Sequence, residues 1–508
     1  MKSEDWDWIG DWAGRRAILT PKKEAVFDSV RKRRFNFAEV DSRANQLARV
    51  LMNQGIEKGD RIAVYAKNRF EYFDFFFASG KIGAVLVPLN IRLVPRELEF
   101  MIRKTGPSLI VYDSDLSEPF SSLRDSFKDT ARMVMGDKAI SSDKSVEHLL
   151  TKVSSNPVER PQLAFDDPCM VIFTGGTTGL PKGAILSHRL VFWNSTNTLV
   201  SWGIRPDDVQ PLLFPLFHTG GWNVLVIPFF HMGGRTIIMG DFDANETLRV
   251  IESEKCTIVI GVPTMFNMMS QAKSFEDADF GSVRVFISGG APCPVAIMEK
   301  YWARNKPFKM GYGLTEVGPN NFYLPEDNIK RKPKSVGFPV FHSDTKIVDA
   351  ENMEVPVGKV GELLLRGPHI FSGYWDEPDE TSSAIESDGW VHTGDLASVD
   401  EEGFYYIVGR KKEMWISGGE NVFPSEIEEI LYQHPAILEA AVIGIPDDFW
   451  GEVGKAFLVL KEGLSLSEEE IREYLTVRLA KYKIPKHYEF RETLPKSAAG
   501  KILKRDLL

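Results

Sequence analysis

Hydrophobic and polar positions follow two alternating patterns along most of the chain. Apolar residues at 40–51 recur at helical spacing, which predicts an amphipathic helix ending near Gly55, and residues 72–83 show a second helical pattern. Short apolar runs predict buried strands at 61–66, 84–89, 109–112, 170–173, 236–239, 257–261 and 284–288. Such alternation is typical of an α/β fold with layered, largely parallel sheets.

Two regions depart from this pattern. Residues 113–160 are polar and poorly periodic, and we expect a peripheral region of helices and loops there. After Gly409 the pattern restarts: Ser425 with Glu428, and Ser467 with Glu470, have the spacing of helix caps, and apolar runs at 437–445 and 455–460 predict strands. We therefore predict a large N-terminal domain of several layered α/β subdomains at 1–409, and a small α+β domain at 413–508.

Composition restricts the possible partners and location. The chain has 508 residues, of which 43% are hydrophobic and 26% charged, as in ordinary globular proteins of more than one domain. Its formal charge of -10 argues against non-specific binding to nucleic acid or to anionic membranes, so local cations must meet any anionic substrate. Three widely spaced cysteines indicate neither a disulfide framework nor a zinc site and favour a cytoplasmic setting.

The apolar stretches do not predict a membrane protein. The N-terminus is acidic and rich in tryptophan, without the basic start and apolar core of a secretory signal. The most apolar stretches, near 73–90 and 221–230, are interrupted by Lys81 or are too short to span a bilayer. We expect no integral membrane segment.

The sequence TGGTTGLPKG at 174–183 is the main candidate for chemistry. It follows the apolar run 170–173, and its four glycines and three threonines can direct N–H and hydroxyl donors at an anion, while Lys182 can neutralise a phosphate. It is not the P-loop of nucleotide triphosphatases, because Gly183 stands where that motif needs serine or threonine. Taken alone, the stretch is equally compatible with a surface loop.

Further motifs resolve this ambiguity. The chain contains PLFHTGG at 215–221, SGGAP at 288–292, GYGLTE at 311–316, HTGD at 392–395, GRKKE at 409–413, SGGEN at 417–421 and PKSAAGKILKRDL at 495–507. With TGGTTGLPKG, these eight motifs stand in the order found in the adenylate-forming acyl-CoA synthetase family. The chain resembles that family from about residue 30 to its C-terminus.

The resemblance implies a reaction in two halves. A carboxylate attacks the α-phosphate of ATP to give an acyl-adenylate and pyrophosphate, and the thiol of coenzyme A then displaces AMP. Both halves concentrate negative charge on a few oxygens, so fixed donors, cations and Mg²⁺ are needed. Lys501 would meet the charge that develops on the α-phosphate and the carboxylate, Thr315 would donate to the α-phosphate, and Glu316 would bind Mg²⁺.

The nucleotide site implied by the resemblance draws on several motifs. Tyr312 would stack on the adenine, and Asp395 and Arg410 would bind the ribose. The phosphate loop has Gly175 where the family usually carries serine, so one hydroxyl donor is missing although the backbone N–H remains. The ATP- and AMP-binding residues would be Thr174, Gly175, Gly176, Thr177, Thr178, Gly179, Lys182, Gly290, Ala291, Pro292, Tyr312, Asp395 and Arg410.

The thiol half-reaction would use other residues. His218 resembles the family's gate between the acyl pocket and the thiol tunnel, and Arg92 would contact the nucleotide phosphates of CoA. Members of the family swing the small domain between the half-reactions, which implies a hinge at 410–412 with Lys412 as its pivot. The pantetheine arm would pass the small residues Ser417, Gly418 and Gly419.

The sequence leaves more than one class of carboxylic acid possible as the substrate. Trp222, Asn223 and Met268 are the predicted acyl-pocket residues, and their mixture of bulk and amide groups suggests neither a long apolar tunnel nor a cationic site. Medium-chain fatty acids and aromatic acids are both compatible. The alternatives to an acid–CoA ligase are an enzyme that loads a carrier protein and a homologue that has lost catalysis; SGGEN favours CoA, and Lys501 with Glu316 argues against lost catalysis. A homodimer is the default assembly.

Overall fold

The computed structural model describes residues 6–136, 143–175, 181–417, 419–447, 449–497 and 500–508. The helices of these residues are α1 Trp12–Leu19, α2 Phe37–Asn53, α3 Phe70–Ile82, α4 Pro95–Thr105, α5 Ser117–Ser121, α6 Val146–Leu150, α7 His188–Trp202, α8 Val226–Met232, α9 Ala244–Ser253, α10 Pro263–Gln271, α11 Val295–Ala303, α12 Pro378–Ala384, α13 Pro424–Tyr432 and α14 Glu468–Thr476.

The strands form several separate sheets. They are β1 Glu24–Asp28, β2 Arg33–Asn36, β3 Arg61–Tyr65, β4 Val85–Pro88, β5 Leu109–Asp113, β6 Ala131–Met135, β7 Lys144–Ser145, β8 Pro168–Thr174, β9 Lys182–Ser187, β10 Val209–Leu212, β11 Arg235–Ile238, β12 Ile258–Gly261, β13 Val285–Ser288, β14 Phe308–Met310, β15 Phe322–Tyr323, β16 Phe338–Pro339, β17 Asp344–Val348, β18 Gly361–Arg366, β19 Val391–Val399, β20 Tyr405–Arg410, β21 Trp415–Ser417, β22 Glu420–Val422, β23 Ile437–Asp447, β24 Gly451–Leu460 and β25 His487–Phe490.

The largest sheet has seven strands in the order β7-β6-β5-β3-β4-β8-β9. All neighbouring pairs are parallel except β8 and β9, which form an antiparallel hairpin. Helix α2 starts at a capping box formed by Asn36 and Glu39, and α3 is buried along its whole length. The expected helices and strands of this region are confirmed. The expectation for 113–160 is wrong in part, because β6 is a full member of the sheet.

Smaller sheets complete the N-terminal part. The order β10-β11-β1-β2 defines one sheet and the parallel strands β12-β13-β14 another, and one face of each contributes to a common core, for example through Ile237 and Ile258. An antiparallel sheet of order β17-β18-β19-β20 follows and ends at Arg410. Three predicted nucleotide motifs begin in these sheets: one at the last residue of β8, one at the last residue of β13 and one near the start of β19.

The C-terminal residues from Glu413 onward, here called the lid, form their own sheet of order β22-β21-β24-β23, with β25 parallel to β24. The predicted capping box of Ser467 and Glu470 opens α14 and is confirmed. The predicted cap at Ser425 is wrong: Pro424 is the first residue of α13, so Ser425 lies inside the helix and its hydroxyl donates to the Val408 carbonyl.

The α/β class with a large N-terminal part and a smaller C-terminal part is confirmed. The change of sheet between Arg410 and Trp415 falls beside the predicted hinge, and the boundaries 1–409, 410–412 and 413–508 stay predictions. Within the described ranges, no helix is both long enough and apolar enough to cross a membrane.

Candidate active site

Lys501 enters the predicted nucleotide site from the lid and lies against Gly290 on the N-terminal side. Gly290 has a φ of +85°, and a Cβ added there would lie 3.0 Å from Lys501 Nζ. Gly290, Ala291 and Pro292 follow the carboxyl end of β13, so the motif meets the lysine at a sheet edge. Burial, together with the Arg410 charge, lowers the pKa of Lys501 to about 8, with Asp395 opposing both.

The ribose candidates form one connected group. Asp395 and Arg410 are paired residues of the neighbouring strands β19 and β20, which brings their side chains together. Arg410 Nε donates to Asp395 Oδ1 at 2.8 Å, and Tyr312 Oη donates to Asp395 Oδ2 at 2.6 Å. Burial raises the pKa of Asp395, and Arg410 counteracts only part of that rise. The hydroxyls of a bound ribose could therefore replace Arg410 and Tyr312 as hydrogen-bond donors to Asp395, whose carboxylate is already positioned.

The phosphate-loop candidates are held by the β8–β9 hairpin. Thr174 and Lys182 are paired residues, so the loop begins and ends at a fixed pair. Lys182 Nζ forms an ion pair with Glu380 and lies 5.4 Å from the ring centroid of Tyr374. Gly175 has open space around its Cα. The predicted contacts Gly176, Thr177, Thr178 and Gly179 lie outside the described residues.

Glu316 is buried beside this hairpin in the short 3₁₀ turn Thr315–Val317. Thr174 Oγ1 donates to Glu316 Oε1 at 3.1 Å and Tyr374 Oη donates to the same oxygen at 3.0 Å. Among the described residues nothing donates to Oε2, so one carboxylate oxygen is left for a hard cation such as Mg²⁺, and the residues fit that ion. Thr315 is buried next to it.

Tyr374 is a site residue that the sequence analysis missed. The extended segment around it runs along β9: Ser372 N–H donates to the Ile185 carbonyl at 3.0 Å and Trp375 N–H donates to the Gly183 carbonyl at 2.8 Å. Burial raises the pKa of Tyr374, and the Glu316 carboxylate raises it further, so the phenol remains a donor. This pairing joins residues about 190 positions apart in the chain, and no local pattern signals it.

His218 lies close enough to Lys501 for their charges to interact. Burial, with a smaller contribution from the Lys501 charge, lowers the pKa of His218 to about 3, so the imidazole is neutral at physiological pH. Gly220 N–H donates to His218 Nδ1 at 3.0 Å, which places the proton on Nε2. A neutral ring can turn between two compartments at less cost than an imidazolium, in accord with the predicted gate.

Three buried asparagines link the His218 segment to the Glu316 turn, and we call them the amide cluster: Asn194, Asn223 and Asn320. Asn194 Nδ2 donates to the Asn223 carbonyl at 2.6 Å, and Asn320 Nδ2 donates to the Val224 carbonyl at 2.8 Å. The Oδ1 atoms of Asn194 and Asn223 are buried and accept no hydrogen bond from the described residues. Buried amide oxygens without donors indicate a place for a ligand or water that donates.

Two predicted acyl-pocket residues do not fit a pocket wall. Trp222 is completely buried, and its ring is stacked on Phe76 with centroids 4.7 Å apart. The indole therefore belongs to the core around α3. Met268 is 49% exposed on α10, because the inward face of that helix is occupied by Met265, Phe266 and Met269. Asn223, the third member of the predicted trio, is buried in the short helical segment Gly220–Val224 and belongs to the amide cluster.

The predicted CoA contacts lie in two parts of the structure, Ser417 and Gly419 in the lid and Arg92 in the N-terminal part. Ser417 is buried in β21 opposite Gly451, Gly419 has a φ of +88° with open space at its Cα, and Gly418 is outside the described residues. Arg92 Nη1 donates to the Ser497 carbonyl of the lid at 3.2 Å. Its assignment to CoA, and that of Lys412 as pivot, stay predictions.

The fold and the candidate site together define an adenylate-forming enzyme. The family description "AMP-binding enzyme" matches residues 15–375, and "AMP-binding enzyme C-terminal domain" matches residues 426–501. The chain belongs to the AMP-binding enzyme family.

Relatives and solved structures span nearly the whole chain. It is 36% identical over 499 residues to a feruloyl-CoA synthase of Amycolatopsis, covering 98% of both proteins. It is 34% identical over 497 residues to the long-chain-fatty-acid–CoA ligase FadD13 of Mycobacterium tuberculosis, covering 98% and 97%. These relatives confirm the expected class of the protein, an AMP-forming acid–CoA ligase.

One solved relative is available in two states. The ATP-bound structure of MatB from Rhodopseudomonas palustris has a TM-score of 0.89 at 30% identity, covering 98% of each chain. The apo structure of the same protein, with the same identity and coverage, has a TM-score of 0.79. The overall arrangement of this chain is thus more similar to the ATP-bound structure.

Proposed function

We propose that the chain couples ATP cleavage to the activation of a compact carboxylic acid that carries a hydrogen-bond donor at its far end, and then transfers the acyl group to CoA. The observation that carries this proposal is the convergence of three groups that the amide cluster adjoins: Lys501 at the end of β13, Asp395 with Arg410 on β19 and β20, and Glu316 beside the β8–β9 hairpin. Substituted aromatic acids fit this description.

Binding orients the nucleotide before any bond changes. Asp395 accepts from the ribose hydroxyls, Arg410 donates to the same sugar, and Lys182 leaves Glu380 for the β- and γ-phosphates. Glu316 would hold Mg²⁺, which supplies charge neutralisation for the departing pyrophosphate. The hinge and the lid then need only to keep Lys501 at Gly290.

The acid is activated by in-line attack of its carboxylate oxygen on the α-phosphorus. A phosphorus–oxygen bond to the acid forms as the bond to pyrophosphate breaks, and protonated Lys501 stabilises the negative charge on the oxygens involved. With its pKa at about 8, Lys501 carries this charge at neutral pH. In the second half the CoA thiolate attacks the acyl carbonyl and AMP leaves.

The amide cluster argues for the kind of acid. An alkyl tail that reached Asn194 Oδ1 or Asn223 Oδ1 would seal these acceptors from water without replacing their hydrogen bonds, and that desolvation opposes binding. A hydroxyl or amino group on the acid would donate to them.

The test is acid-dependent ATP–pyrophosphate exchange with matched acids, followed by CoA. Hydroxylated or amino-substituted cinnamates and benzoates should exceed their unsubstituted parents and hexadecanoate, and should yield a CoA thioester. Asn194→Leu should erase this preference, whereas the exposed control Met268→Leu should keep it. Preference for hexadecanoate would refute the substrate proposal, and exchange without a thioester would point to a carrier-protein acceptor.

A further inference from the structure

Three side chains of the N-terminal part donate hydrogen bonds to main-chain carbonyls of the lid. Arg92 Nη1 donates to the Ser497 carbonyl at 3.2 Å, Thr264 Oγ1 to the Gly500 carbonyl at 2.9 Å, and Asn267 Nδ2 to the Leu438 carbonyl at 3.0 Å. We propose that Arg92, Thr264 and Asn267 form a latch that positions Lys501 for adenylate formation alone. This inference rests on the proposed two-step function.

Two of the latch bonds act directly on the backbone that carries Lys501. Lys501 N–H donates to Ser497 Oγ at 3.1 Å, and Ser497 N–H donates to the Lys501 carbonyl at 2.6 Å, so Ser497 and Lys501 are tied together. Arg92 holds the Ser497 end of this pair and Thr264 holds Gly500 immediately before the lysine. The position of Lys501 Nζ at Gly290 therefore depends on both donors.

The site that receives Gly500 is shaped for glycine. Gly500 has a φ of +83°, and a Cβ there would lie 3.0 Å from Val262 Cγ2 and 3.4 Å from Thr264 Oγ1. The lid backbone thus packs closely on the start of α10. A side chain at this position would strain the backbone and push against Val262.

The third donor sits one turn further along the same helix. Thr264 and Asn267 are three residues apart on α10, so they project from the same face of the helix. Gln271 Nε2 donates to Asn267 Oδ1 at 2.8 Å, which orients the amide with its nitrogen toward Leu438. The helix therefore contacts the lid at two separate points, Gly500 and Leu438, which resists rotation of the lid as well as its departure.

The chemistry of the latch makes it selective for one half-reaction. The acceptors are carbonyls that every lid sequence offers, so the specific groups are the N-terminal donors. A lid that swings after adenylate formation leaves all three donors, so their loss should slow the first half-reaction and spare the second. Thr264, Asn267 and Arg92 act here as positioning residues, because none of them touches a reacting atom.

The experiment compares half-reactions in Thr264→Val and Asn267→Asp, which remove the donors with little change in shape. Acid-dependent pyrophosphate exchange should fall about three- to tenfold in each, the net effect typical of one lost hydrogen bond. Thioester formation from preformed acyl-adenylate and CoA should stay within about twofold of the parent. Thr264→Ser, which keeps the hydroxyl, should restore exchange.

The matched control is Thr476→Val in the lid helix α14, where the hydroxyl donates to the Arg472 carbonyl within the lid. It should change neither half-reaction. Equal losses in both half-reactions for Thr264→Val, or no loss in either, would overturn the latch.

A second measurement, amide hydrogen exchange, tests the latch contacts independently of the catalysed reaction. Amide hydrogen exchange of the peptide ending at Leu508 should be faster in Thr264→Val and Asn267→Asp than in the parent and in Thr476→Val. The hydrogen-exchange measurement needs no substrate. A parent enzyme that is inactive with every acid would therefore contradict the proposed function, and the latch could still be tested. Unchanged hydrogen exchange in both variants would overturn the latch.

Discussion

The lowered pKa of Lys501 predicts how the rate of adenylate formation depends on pH. The perturbation is a rise in pH from 7 to 9, which deprotonates a lysine whose pKa is about 8. Such a group is about 90% protonated at pH 7 and about 10% at pH 9, so a step that needs the cation slows about ninefold. A lysine at its ordinary pKa would lose almost nothing over the same range.

The assay is the initial rate of acid-dependent pyrophosphate exchange at ATP concentrations below KM. Under these conditions the profile of kcat/KM reports the pKa of the free enzyme, whereas kcat reports the ATP complex, in which the phosphates raise the pKa of Lys501. The fall in kcat should therefore come at a higher pH than the fall in kcat/KM. His218 does not interfere, because its pKa of about 3 keeps it neutral throughout.

Deprotonation of Lys309 could cause the same fall in the rate of pyrophosphate exchange at alkaline pH. A matched variant distinguishes Lys309 from Lys501. Burial lowers the pKa of Lys309 to about 8, and its Nζ donates to the Leu324 carbonyl at 2.9 Å. Lys501→Arg keeps Lys309 but replaces the titrating group by one that stays charged, so its residual rate should be flat from pH 7 to 9. A parent profile flat to pH 9, or an alkaline fall retained in Lys501→Arg, would refute the assignment of Lys501.

Three further predictions follow from contacts in the site. Glu380→Gln should lower the KM for ATP by about two- to fivefold, because Lys182 no longer has to leave an ion pair; an unchanged KM would show that this pair does not compete with the phosphates. Gly290→Ala should reduce pyrophosphate exchange more than tenfold with a smaller effect on thioester formation, because its Cβ would clash with Lys501 Cε and displace the lysine, and equal losses would contradict this. Lys412→Pro should spare exchange and slow thioester formation, measured by rapid quench, because it stiffens the chain at the predicted pivot; equal loss of both would count against the hinge.

Local patterns predicted the elements whose cause is local. The capping box at Ser467 and the period of α2 depend on residues within a few positions, and the structure has both. The motif residues also came together across long distances: Lys501 meets Gly290, and Asp395 faces Arg410. Those meetings were predictable only through the family resemblance, because spacing along the chain contains no information on which strand ends share an edge.

The misses share a physical cause, which is tertiary packing. Strand β6 lies in a polar stretch, and it is stabilised by pairing with β5 on one side and β7 on the other. Trp222 adjoins a catalytic motif in sequence, but its ring packs on the aromatic residues of α3, and Met268 points outward. Tyr374 and Thr264 could not be found from sequence, because Tyr374 acts through Glu316, 58 residues away, and Thr264 through Gly500, 236 residues away.

The three cations of the nucleotide site differ in their partners, and this difference links the latch to the chemistry. Lys182 and Arg410 each have an acidic partner, whereas Lys501 has none within ion-pair distance in the described part of the chain. Lowering its pKa from 10.5 to about 8 corresponds to about 3 kcal/mol against the charged form. Before ATP arrives, a charged Lys501 therefore opposes closure of the lid.

The latch offsets this opposition. Three hydrogen bonds at about 1 kcal/mol each contribute about 3 kcal/mol, which is similar in size to the cost of burying the charged lysine. The sign for pH follows: the opposition is fully present below about pH 8 and declines as the pH rises from about 8 toward 10.5, so over this range the lid should close more completely while adenylate formation slows. Closure measured by hydrogen exchange and activity measured by pyrophosphate exchange should consequently move in opposite directions over this range. If instead both fell together, the burial of Lys501 would not be what holds the lid open.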